Sequence, residues 1–93
     1  MIEPIDEQIA AALLALIAKR GEKSSACPSE AARTLLSGQW RSLMPRVRQV
    51  AGELALQGLL DISQKGQSVP TTTLPFGPWK GPIRVRTPRQ VLP

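Results

Sequence analysis

Apolar residues recur at spacings of three and four in three places along the chain. Each place predicts a helix. In the first, residues 4–20, the stripe is Ile5, Ile9, Ala12, Leu13, Leu16 and Ile17. Pro4 suits the first helical position, where its missing N–H is no loss. Asp6 and Glu7 meet the positive end of the helix dipole, and Lys19, Arg20 and then Gly21 close the other end. Residues 21–26 read as a polar loop with a short extended end. The second helix opens at Cys27-Pro28-Ser29-Glu30, turns Ala31, Ala32, Leu35 and Leu36 inward, and stops at Ser37-Gly38. It is so short that it depends on packing for its stability.

The third stretch, residues 39–60, is the longest. At about 100° per residue, Trp40, Leu43, Met44, Val47, Val50, Ala51 and Leu54 fall on one side. Two starts fit this helix. Ser42 can cap it with Pro45 in the first turn, or residues 40–44 can form a separate turn with the helix beginning at Pro45. Gly58 ends it. Arg41 and Arg48 share one outer edge and Arg46 flanks the other. Ser42, Pro45, Gln49 and Gly52 lie between them, and Leu56 points outward near the end.

The period then changes. Residues 59–63 read as a strand and residues 64–67 as a turn. Residues 68–80 are rich in proline and threonine and have no period. Residues 83–87 alternate, with Ile83 and Val85 facing inward and Arg84 and Arg86 facing solvent. The expected fold is α+β, a winged helix. Three helices make the core, and the third leads into a two-stranded antiparallel β-ribbon with a long wing. One domain spans 1–87, and residues 88–93 form a C-terminal tail.

Composition adds a direction to this picture. Residues 1–38 carry four basic groups against five acidic ones, whereas residues 39–93 carry eight against two. The whole surplus behind the net charge of +5 therefore lies in the third helix, the wing and the tail. Such asymmetry points to a polyanion, with nucleic acid ahead of an anionic membrane surface. The bland counterpart is a solvated basic face.

Double-stranded DNA is the expected partner. Arg41, Arg46 and Arg48 would hold phosphates beside the third helix, and Gln49 would lie near base edges. Lys65, Lys80, Arg84 and Arg86 would hold the backbone or the minor groove. The alternative is a protein-interaction or dimerisation module, a homodimer included, that uses Leu56, Phe76 and Trp79 without nucleic acid. Phe76 and Trp79 lie in the long wing, where they could act as a minor-groove wedge or fold back over the core.

Catalysis finds no support. The chain has no histidine and no tyrosine, and its single cysteine can make neither an internal disulfide nor a thiolate-rich metal site. No Gly-rich phosphate loop occurs. No enzyme activity, metal or cofactor is expected. Cys27, just before a helix, reads either as a redox-sensing thiol or as a small hydrophobe at a strand–helix junction. The acidic start MIEPIDE is unlike an export signal, and no apolar run reaches the roughly 20 residues needed to span a bilayer. A cytoplasmic protein without membrane insertion is the expectation.

Four stretches stand in order at sensible spacing: CPSEAAR at 27–33, WRSLMPRVR at 40–48, QKG at 64–66 and KGPIRVR at 80–86. Together they resemble a family of small bacterial domains of unknown function with a winged-helix-like fold. The resemblance covers about residues 5–87 and implies the order helix–helix–helix–strand–strand. It brings no activity and no functional residues. The segment between QKG and KGPIR, with TTTLPFGPW, is longer here than the family's usual wing.

Overall fold

The structure is a computed structural model, and it describes residues 5–21, 24–68 and 81–88. The chain order is α1 (Asp6–Arg20), β1 (Ser25–Ala26), α2 (Ser29–Leu35), α3 (Trp40–Leu56), β2 (Asp61–Gln64), β3 (Gln67–Ser68) and β4 (Arg84–Arg86). The fold is α+β, three helices with a small antiparallel sheet, an arrangement compatible with a winged helix.

Helix α1 starts at Asp6, preceded by extended Ile5 at φ −84° and ψ 165°. The Ile5 N–H donates to Gln8 Oε1 at 2.9 Å, so a glutamine side chain takes one backbone donor at the helix start. Pro4 lies outside the described residues. Ile5, expected in the buried stripe, is 53% exposed because it precedes the helix. Ile9, Leu13 and Ile17, four residues apart, are buried. Gly21 ends the helix at φ 85°, and its N–H bonds the Ile17 carbonyl.

Helix α2 begins one residue after Pro28, which caps it in helical geometry. Ala31 and Ala32 are buried, while Leu35 and Leu36 are half-buried against the same core.

Helix α3 begins at Trp40, earlier than either expected start. Ser42 is therefore not its cap, and the hydroxyl donates to the Gln39 carbonyl at 2.8 Å. Pro45 stands inside the helix and offers no N–H to the Arg41 carbonyl. Arg41 and Pro45 are both exposed, so water can take the released carbonyl. Leu43, Val47, Val50, Ala51 and Leu54 are buried with the α1 stripe.

The strands form one sheet in the order β1-β4-β2-β3, with each neighbouring pair antiparallel. The expected pairing of β2 with β4 is present, but the ribbon is not two-stranded. β1 adds to the free edge of β4, and β3 adds to the other edge of β2. Ala26, Val85 and Ile62 stand side by side across three strands and are fully buried. This row, with Leu60 and Ile83, closes the core beneath the helices. Residues 69–80, which hold Phe76, Trp79 and Lys80, lie outside the described residues, as does the tail from residue 89.

β2 and β3 are joined by Lys65 and Gly66, at φ 52° and φ 81°. Two successive left-handed residues are what a tight two-residue hairpin requires. Glycine enters that region freely, whereas lysine does so against its Cβ. Lys65→Asn is therefore expected to stabilise the fold by about 0.5–1 kcal/mol, read as a higher thermal midpoint. An unchanged or lower midpoint would mean that Lys65 does not hold this conformation in solution.

Candidate nucleic-acid interface

The outward strip of α3 consists of Arg41, Ser42, Pro45 and Gln49, all exposed. Gly52, expected on this strip, is buried together with Ala51, Leu54 and Ala55. The last two turns of α3 are buried on a wider arc than the first two. With no side chain of its own, Gly52 lets its backbone be covered. The open strip therefore ends near Gln49.

The two margins of the strip are not simple solvated charges. Arg46 Nη2 lies 2.7 Å from Asp6 Oδ1 and so ties α3 to the first turn of α1. Both side chains are substantially exposed, which keeps the worth of this pair under about 1 kcal/mol. It nevertheless sets a negative charge beside the arginine. Arg48 Nη2 donates to the Gly81 carbonyl at 2.9 Å. That bond crosses 33 positions of sequence and brings the arm leading into β4 against one edge of α3. Arg41 and Gln49 stay exposed beside it.

On the sheet, the four cations expected to act together are treated differently. Lys65 is exposed at the hairpin tip. Arg84 Nε donates to Ser25 Oγ at 2.6 Å and its Nη2 to the Ser25 carbonyl at 2.9 Å, linking β4 to β1. Arg86, expected to point into solvent, instead pairs with Asp61 across β4 and β2 at 2.7 Å. Their side chains are only 25% and 19% exposed, so this pair belongs to the sheet. Lys80 lies outside the described residues. Asp61→Ala leaves a half-buried guanidinium without this carboxylate, and we expect it to cost about 1–3 kcal/mol in a denaturation series. A loss below about 0.5 kcal/mol would show the pair to be merely superficial.

One cluster escapes a reading by helical period. Trp40, expected on the core side, is half-buried, and two guanidinium groups stand over its ring. The Arg33 carbon is 4.5 Å from the ring centroid and the Arg41 carbon 4.9 Å. Arg33 belongs to α2 and lies across a turn from Trp40, so no single helical period relates the two. The only hint was composition, an arginine close to each end of that turn.

The profile of a family described as protein of unknown function (DUF3253) matches residues 6–88. The chain belongs to this family. No curated protein matches it. Membership agrees with the expected resemblance to a small family of unknown function and brings no activity or site residues with it.

In this DUF3253 domain Cys27 sits at the junction of β1 and α2, half-buried, with its sulfur accepting from Ser29 Oγ at 3.0 Å. Among the described residues no group of three or more Cys, Asp or Glu side chains converges as a metal site would require. No described helix of the DUF3253 domain is long and apolar enough to cross a membrane.

Proposed function

We propose that this DUF3253 domain is a winged helix that binds double-stranded DNA, in the manner of a transcription regulator, with α3 in the major groove. One observation carries the reading. Arg41 and Gln49 stand exposed on the one open strip of a helix whose other side is core, and Arg48 bonds the arm into β4 at the edge of that strip. The helix and the hairpin side of the sheet are thereby fastened together, as a helix in one groove and a wing beside it would need.

The roles divide by environment. Arg41, Arg48 and Lys65 reach phosphates. Gln49 is the residue of the strip whose side-chain amide can read a base edge with two hydrogen bonds. Arg46, Arg84 and Arg86 act first as positioning residues, because Asp6, Ser25 and Asp61 engage them. Duplex DNA of random sequence is expected to be retarded by the purified protein at low salt. No retardation at any protein concentration would end the proposal.

A second reading has its own support. Leu56 is 53% exposed and Leu59 45% exposed, close together at the end of α3. They would make an apolar contact for a second copy or another protein; Phe76 and Trp79, expected to share it, lie outside the described residues. A monomer by light scattering at high concentration would remove the homodimer version.

A further inference from the structure

We propose that Arg33, Trp40 and Arg41 form a phosphate-holding cluster at the corner between α2 and α3, and that its ligand is the backbone phosphodiester of duplex DNA. The assignment rests on the DNA-binding reading above and adds Arg33 and Trp40 to it.

The described arginines separate into two groups. Arg20, Arg46 and Arg86 pair with Glu30, Asp6 and Asp61. Arg48 and Arg84 donate to Gly81 and Ser25. Arg33 and Arg41 do neither among the described residues. Both are exposed, and both rest on the same indole ring.

Contact with an aromatic face steadies a guanidinium while leaving its N–H edge able to donate. The shared ring also keeps the two guanidinium carbons less than about 10 Å apart, near one Debye length at 0.1 M salt. At that separation the two like charges repel each other partly through the salt, and phosphates bound beside them relieve that repulsion. A phosphate oxygen pair matches the donor fork of arginine in geometry and in charge.

The position favours a nucleic-acid phosphate over a carboxylate of a protein partner. Arg41 opens the exposed strip that continues through Ser42 and Pro45 to Gln49. A helix laid in a groove with Gln49 toward the bases would bring its first turn, and with it this cluster, toward the sugar–phosphate wall. The cluster thus acts on position and affinity and is indifferent to base sequence.

The test is the slope of log K against log salt for duplex binding, measured for the full chain and for Arg33→Gln, Arg41→Gln and the double variant. Both side chains are exposed, and an unchanged thermal melt confirms that each variant folds. Each single change is expected to reduce the slope by about 0.9 and to weaken binding roughly tenfold at 0.1 M salt, equally on unrelated duplex sequences. The double change is expected to reduce it by about 1.8.

If the parent protein binds and Arg33→Gln keeps the full slope, the assignment fails while the DNA reading stands. The cluster would then be left to an acidic protein partner. A loss confined to particular sequences would place Arg33 at a base edge and overturn it as well. If the parent protein does not bind duplex DNA at all, both readings fall together.

Discussion

Leu13→Ala is expected to cost about 2–5 kcal/mol of folding stability. Leu13 is fully buried, midway along α1 between Ile9 and Ile17. Helix α1 packs on α2, on α3, and on β1 and β4 of the sheet, so neighbours on several sides meet the cavity. They cannot all move in, because each also holds another part of a small core. The total stability of such a domain is about 5–15 kcal/mol, and a domain of this size loses roughly 4–8 °C of thermal midpoint per kcal/mol. The expected result is therefore a fall of about 8–40 °C, followed by circular dichroism. Leu56→Ala, at an exposed position of α3, is the comparison and should stay within about 0.5 kcal/mol. Equal effects at the two sites would contradict the packing described for α1.

That core was legible before any coordinates. Ile9, Leu13 and Ile17 announce their burial by spacing, and so do Leu43, Val47, Val50 and Leu54. The alternation of Ile83 and Val85 with Arg84 likewise foretells which side of β4 is buried. Repetition makes these residues readable. A one-residue error in an element's start does not move the stripe.

What lacks repetition was hidden. β1 and β3 are two residues each, too short to show a period, and both are held by the edges they complete. The start of α3 was hidden by Pro45, a residue favoured in a first helical turn that here stands inside the helix. Gly52 offers no side chain by which to assign a face.

The candidate site was less legible than the fold for a different reason. A sequence shows the sign of each charge but not its partner. Asp6 meets Arg46 across 40 positions and Asp61 meets Arg86 across 25. Those pairings set a carboxylate against two of the arginines expected to hold DNA. The same folding brings Arg33 of α2 to Trp40 and its neighbour Arg41, a contact across the turn that no helical period relates.

The steepest functional effect expected is the response of DNA binding to salt. With about four phosphates neutralised, chiefly by Arg33, Arg41, Arg48 and Lys65, the slope of log K against log salt is about −3.6. Raising salt from about 50 mM to about 200 mM should then weaken binding on the order of 100-fold, whichever duplex is used. Docking through Leu56 and Leu59 predicts the opposite, an association nearly indifferent to salt, because burial of apolar surface is not screened.

A fluorescence-anisotropy titration of the full chain against random duplex DNA across that salt range is the most direct measurement. The account predicts a linear log–log plot that falls with a slope near −3.6. A flat plot, or no binding at the lowest salt, would contradict it.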